Sequence, residues 1–316
     1  MRLGEFELIE RLVKELPPPS EKVVVGVGDD TAVVKAGRGY RLLTTDALVE
    51  GTHFRREWKG AVEELFFLLG KKLVNVCASD VASMGGEPKI GLINLGVPPD
   101  GKEEELIELY RGVGEAAREL KVDMVGGDTV KSGTLFFDMT LIGESSSYML
   151  RSSARPGELV GITGTVGDSR GGLELLERGR PEPKYLIERF LSPKARVREG
   201  REVLELGVKC GTDVSDGLLF NLGTIAQSSG VRIEVESSLI PLSHELIETF
   251  GKERALEFAL YGGEDYELII TFPERLVNKV EEIGFKVIGE VKEGSGVFLD
   301  GKEVRTKGYD HFKEEE

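Results

Sequence analysis

Cysteine, histidine, tryptophan and glutamine are nearly missing from this chain, with two, three, one and one in 316 residues. Two cysteines, Cys77 and Cys210, cannot build a disulfide framework, and no second thiol lies near either to form a metal-binding pair. They read as structural thiols of a reduced, cytoplasmic protein. Three histidines leave little material for a nucleophile–base pair. Long apolar runs are lacking too: ELFFLLG at 64–70 falls far short of the roughly 20 residues that cross a bilayer, so no membrane partner is expected. The start, MRLGEFELIE, is acidic and amphipathic, unlike a secretory signal. Positive charge is in deficit, with 41 Lys and Arg against 56 Asp and Glu and a net charge of −15. A nucleic-acid surface would need basic patches and is not expected. An anionic small-molecule substrate stays open, provided metal cations stand between it and the protein.

The length allows two domains. Phe6, Ile9, Leu12, Val13 and Leu16 predict a helix over 4–16, stopped by the prolines at 17–19. Strands follow at 23–27 and 40–45, then a long, mostly buried helix in AVEELFFLLGKKLVNVCASDVASMG. KIGLINLGV, VDMVGG and TLFFDMTLIG read as strands around a helix at 102–120. Near LRSSARPGELVGITG the composition turns to loop, which places a domain boundary at about residue 150. Beyond it come helices at 171–178, 184–190 and 194–206, a strand VKCGTDV leading into a helix from Gly217, and strands at 231–236 and 266–272. VIGEV and GVFLD close a β-rich end. The expected fold is mixed α/β, two α/β domains over 1–150 and 151–316.

What the chain has in abundance is acid at the ends of apolar runs: GDD (Asp29, Asp30), LLTTD (Asp46), CASD (Asp80), MVGGD (Asp128), GTDVSDG (Asp213, Asp216) and YGGED (Glu264, Asp265). Turn chemistry accounts for any one of them. As a set they would meet at a common sheet edge, where so many carboxylates repel unless cations neutralise them. Small neighbours and Ser or Thr oxygens suit Mg²⁺, which takes octahedral oxygen ligands, so multi-metal phosphate chemistry fits best. The glycine loops do not offer an alternative. GVPPDGKE imitates a phosphate-binding P-loop, but Glu103 stands where Ser or Thr should hold Mg²⁺, and Pro98 and Pro99 delete amides. GITGTVGDSRGG lacks Gly-x-Gly-x-x-Gly spacing and reads as a turn.

GEFELI, GVGDDTAVV, TTDALVEGTHF, CASDVASMGG, VGGDTV, TDVSDGL, GGEDYEL and GYDHF, in that order from residue 4 to 312, together resemble the thiamine-monophosphate kinase family. That family belongs to the ATP-binding superfamily that includes aminoimidazole ribonucleotide synthetase and selenophosphate synthetase. The resemblance implies transfer of the γ-phosphoryl of ATP to thiamine monophosphate, the last step in making thiamine diphosphate, with several Mg²⁺ ions. It also implies a homodimer in which the N-terminal sheets pair into a barrel. Carried over position by position, the metal ligands would be Asp30, Thr44, Thr45, Asp46, Asp80, Asp128, Asp213 and Asp216. ATP would meet Tyr110, Gly127, Asp128, Arg151 and Ser215, and the thiamine moiety His53, Glu264 and Tyr309. His53 has a rival reading as a core histidine beside Phe54, Arg151 as a capping or pairing residue, Tyr110 as core, and Glu264 as a turn acid. Two departures stand out: Tyr309 replaces a frequent Trp, and Phe220–Asn221 replaces a usual acid pair. The competing functions are another ATP-using synthetase of the superfamily, or a nucleotide sensor without turnover.

Overall fold

The computed structural model describes residues 4–306, apart from the side chain of Phe6. Tyr309 and the GYDHF segment lie outside the described residues. After helix α1 (Glu5–Val13), the first half lays β1 (Val23–Val25), β2 (Ala32–Ala36), β3 (Gly39–Val49), β4 (Glu87–Val97), β5 (Asp123–Lys131) and β6 (Phe136–Ser145) into one sheet, ordered β1-β2-β3-β6-β4-β5. Its pairs are antiparallel except β4 with β5. Helices α2 (Leu65–Ser83) and α3 (Glu103–Leu120) cover one face. The long helix, the strands after it and the helix at 102–120 form as the periodicity predicts. Strand β2 is an addition to that reading: the GDD acids sit in the turn between two strands, not at a strand's free end.

The second sheet runs β13-β12-β9-β11-β7-β10-β8, from β7 (Glu158–Thr163), β8 (Cys210–Asp213), β9 (Arg232–Val235), β10 (Leu268–Pro273), β11 (Phe285–Lys292), β12 (Gly296–Leu299) and β13 (Lys302–Val304). Helices α4 (Asp168–Glu177), α5 (Lys184–Leu191), α6 (Val197–Glu205) and α7 (Leu218–Ser229) match expectation to within a few residues. Three more, α8 (His244–Phe250), α9 (Lys252–Tyr261) and α10 (Val277–Ile283), go beyond it.

The two halves share a core. α2 is buried on nearly every face, as an apolar helix must be. One cluster joins its Leu69, Leu73 and Cys77 to Phe137 of β6 and to Leu176 and Phe190 of α4 and α5. α2 and α3 approach through glycines: a Cβ on Gly112 would stand 1.9 Å from the carbonyl oxygen of Phe67, and one on Gly70 2.0 Å from that of Leu109. The obstacles are backbone and cannot rotate away. Gly112→Ala is therefore expected to cost about 2 kcal/mol through overpacking, read as a lower denaturant midpoint at constant slope. An unchanged midpoint would show that the two helices separate without penalty.

Candidate active site

α2 is the spine on which the acids assemble. Residues 72, 79, 80 and 83 fall on one side of it by helical spacing. Ser79 Oγ donates to Asp213 Oδ2, Ser83 Oγ donates to Asp30 Oδ2 at 2.8 Å, and Asp80 accepts from Thr44 Oγ1. Asp30 comes from the β1–β2 turn, Asp213 from the end of the edge strand β8, and Thr44 and Asp46 from the α2-facing side of β3. Asp30, Asp80 and Asp213 each present a carboxylate oxygen within 4.8 Å of the others.

Burial, then the neighbouring charges of Asp46, Asp213 and Asp30, pushes the Asp80 carboxyl well above its usual range. Burial and Asp30 push Asp213 up to about 8, and burial pushes Asp46 up to about 6. Asp213 Oδ1 is buried with no hydrogen-bond partner among the described residues. Buried carboxylates left unpaired this close are strongly disfavoured, whereas a hard divalent cation is suited by an all-oxygen donor set. The residues therefore fit Mg²⁺.

Arg151 supplies positive charge on one flank. Its guanidinium pairs with Asp30 and donates from Nε to Thr212 Oγ1 at 3.1 Å. Asp29 works on the backbone instead: its Oδ1 accepts from the Asp30 amide at 3.0 Å and its Oδ2 from the Arg151 amide at 3.2 Å. The adjacent acids thus divide their labour, Asp30 facing the cluster and Asp29 fixing the turn that aims it.

On the other flank, the GGEDY segment runs beside the TDVSD turn. The Glu264 amide donates to the Ser215 carbonyl at 2.7 Å and the Tyr266 amide to that of Val214 at 2.9 Å. Glu264 and Tyr266 take left-handed backbone angles, φ +64° and +52°, an uncommon conformation for residues with side chains. Gly263 is required here, because a Cβ would stand 2.5 Å from the Ser215 carbonyl oxygen. Asp216 accepts from Ser215 Oγ at 2.9 Å, and its amide donates to Asn221 Oδ1 at 3.2 Å. Asn221, at the position of the missing acid, is a buried brace for this turn. Burial first, then the charges of Glu264, Asp46, Asp213 and Asp216, pushes the Tyr266 phenol well above its ordinary value. Glu264 meets α2 as well, its carboxylate 2.8 Å from Lys72 Nζ on the helix that carries Asp80.

The family described as "AIR synthase related protein, N-terminal domain" matches residues 28–145, and its C-terminal counterpart matches residues 155–302. A thiamine-monophosphate kinase from Aquifex aeolicus is 41% identical over 98% of this chain and 98% of its own length. One from Pyrococcus horikoshii is 33% identical over 99% and 97%. The chain belongs to the thiamine-monophosphate kinase family. The solved structure "AaThiL complexed with AMPPCP and TMP" overlays with a TM-score of 0.89 at 40% identity, covering 99% of each chain. The resemblance in the motifs and the expected mixed α/β fold are both borne out.

Within this kinase fold, the residues expected at the site fall into three groups. Asp30, Thr44, Asp46, Asp80, Asp213, Ser215 and Asp216 converge around α2 and the TDVSD turn, with Arg151 and Glu264 on the flanks. Thr45 does not join them through its hydroxyl. Strand side chains alternate, so Thr45 faces the opposite side of the sheet, where it donates to Asp138 Oδ2 at 3.0 Å. Gly127 and Asp128 lie on β5, the exposed edge strand, and Asp128 Oδ1 accepts from the Thr129 amide at 2.8 Å. A Cβ on Gly127 would come within 1.6 Å of the Ile93 carbonyl oxygen, which explains that glycine without a ligand. Tyr110 is 47% exposed on α3, which sets aside its reading as core. His53 sits in the turn after β3, its Nδ1 accepting from the Val49 amide at 3.0 Å.

Asp265, in the same motif as Glu264, points elsewhere. Its carboxylate accepts from the amides of Gly167 at 2.6 Å and Ser169 at 3.1 Å, capping α4 and pinning the glycine-rich loop. Between β7 and α4 that loop is a short turn, as its spacing suggests. Ser79, Ser83, Lys72 and Tyr266 belong to the site or its surroundings without standing out in the sequence. The helical spacing of Lys72, Ser79 and Ser83 along α2 is the signal that could have found those three.

Proposed function

We propose that this protein transfers the γ-phosphoryl group of ATP directly to thiamine monophosphate, giving ADP and thiamine diphosphate. The observation that carries this reading is the cluster of Asp30, Asp80 and Asp213 beside α2, with Glu264 paired to Lys72 of the same helix. The acceptor is already an anionic phosphate monoester and needs no general base to attack. Repulsion between two polyanions is the obstacle, and it calls for cations held in place. Asp30, Thr44, Asp46, Asp80, Asp213 and Asp216 would hold Mg²⁺, which when bound screens both anions and stabilises charge on the departing ADP. Asp30 and Asp213 are oriented by Ser83 and Ser79, so α2 sets the spacing of the donors. Arg151 pairs with Asp30 and fixes its direction. Gly127 and Asp128, with Tyr110, Arg151 and Ser215, are assigned to the nucleotide; Glu264, His53 and Tyr309 are assigned to the thiamine moiety. The relative bound to AMPPCP and TMP supports both substrates.

The division at residue 150 into a metal- and nucleotide-binding half and a second α/β half belongs to the same reading. So does a homodimer. The face of the first sheet turned away from α2 carries aligned rows, Leu43–Ile142–Ile90 and Thr45–Thr140–Leu92. Ile90 and Leu92 are 39% and 37% exposed, an apolar surface suited to a second copy. Cytoplasmic location is part of the proposal as well; among the described residues no helix is long and apolar enough to cross a membrane.

The decisive experiment incubates the protein with ATP, Mg²⁺ and thiamine monophosphate and resolves the products. Thiamine diphosphate equimolar with ADP, lost on adding EDTA, is the expected result. ADP without thiamine diphosphate would move the reading to another acceptor, and no ADP at all would favour a sensor.

A further inference from the structure

Lys72 is a charged side chain buried on α2 that the chemistry above does not use. It has no exposed area, and beyond one ion pair its Nζ has no hydrogen-bond partner among the described residues. Two groups meet it: the Glu264 carboxylate at 2.8 Å, and the ring of Phe190, 4.0 Å from Nζ to centroid. Phe190 is itself held edge-on by Trp58 at 5.8 Å. A buried ammonium without a counter-charge is heavily disfavoured, and an apolar residue would pack this position of α2 as well. What the charge gains, it gains through Glu264, whose side chain keeps 25% exposure.

Glu264 is fixed at both ends. Its amide is bonded to Ser215 in a left-handed turn, and its carboxylate is tied to Lys72. Lys72 lies two turns before Asp80, about 12 Å along the helix. That separation suits an acceptor with its phosphate at the acids and its ring at Glu264. We propose that Lys72 is a positioning residue for acceptor recognition, its buried ammonium holding the Glu264 carboxylate in the orientation that meets the ring end of the acceptor. This rests on the reading of Glu264 as an acceptor contact and adds the residue that aims it.

The test is a double-mutant cycle of Lys72→Met and Glu264→Gln, with steady-state kinetics for both substrates and a melting curve for each variant. Lys72→Met is expected to raise the KM for thiamine monophosphate about tenfold, while kcat and the KM for ATP stay within about twofold. Glu264→Gln is expected to raise the same KM at least as much, and the double variant to be no worse than Glu264→Gln alone. Effects that add in the double variant, or a fall in kcat with a rise in both KM values, would make Lys72 merely structural and overturn the inference. An acceptor KM raised by Glu264→Gln but untouched by Lys72→Met overturns it too, leaving the role of Glu264 intact. If Glu264→Gln itself leaves that KM unchanged, the acceptor reading has failed and the inference falls with it. Should Lys72→Met not fold, Lys72→Gln, which also removes the charge, takes its place in the cycle.

Discussion

Asp213→Asn is expected to lower thiamine diphosphate formation by roughly a thousandfold, on the scale of losing a preorganised electrostatic group, and at the same time to stabilise the metal-free protein. The two effects share one cause. Asp213 is buried within reach of Asp30 and Asp80, with one oxygen left without a hydrogen-bond partner among the described residues. Without a cation its charge is a liability, and on the metal assignment proposed above it would become a ligand. The sign can be followed with pH. The carboxyl is raised from its usual 3.8 to about 8 in the folded protein, by burial first and Asp30 second. Between those values the folded state binds more protons than the unfolded state, so this group's contribution to stability falls as pH rises. In chelator, the gap in melting temperature between Asp213→Asn and the parent should therefore widen from about pH 4 to about pH 8. Saturating Mg²⁺ should reverse the order, because only the parent binds it fully. A variant that melts below the parent at pH 8 in chelator, or that keeps full turnover, would remove Asp213 from the metal site.

Arg151→Met is expected to act in the opposite direction on the metal-free protein, costing about 3–5 kcal/mol by leaving buried carboxylates without their partner. Asp30 loses its ion pair, Thr212 Oγ1 loses the Nε donor, and the charges of Asp29 and Asp213 are left less compensated. Denaturant unfolding in chelator measures the loss. Added Mg²⁺ should recover part of it, since a cation replaces the missing charge. Equal stability of variant and parent without metal would mean that Arg151 only decorates the cluster. Turnover should fall as well, because Asp30 would no longer be aimed by the guanidinium.

The elements that follow from periodicity are legible from the residues alone. α2, α3, β4 and β6 carry continuous patterns, and the recurrent acids point to cation-assisted phosphate chemistry without any coordinates. Weaker signals are not legible. β2 is five residues long, and its β identity comes from pairing with β3 across a tight turn. α8 and α10 are each only seven residues long, too short for a clear period.

Composition and motif order pointed to the chemical class: a deficit of basic residues, few histidines, no P-loop, and a series of acid-bearing motifs suited to cations between protein and polyphosphate. Tertiary structure decided which acids share a site. Glu264 turns to Lys72 of α2 while its neighbour Asp265 caps α4, and Thr44 and Thr45 part to opposite faces of one strand. Consecutive residues diverge because backbone alternation and local turns set direction. Asp30 and Asp213, from opposite halves of the chain, converge because α2 packs against both halves and lends each acid a serine.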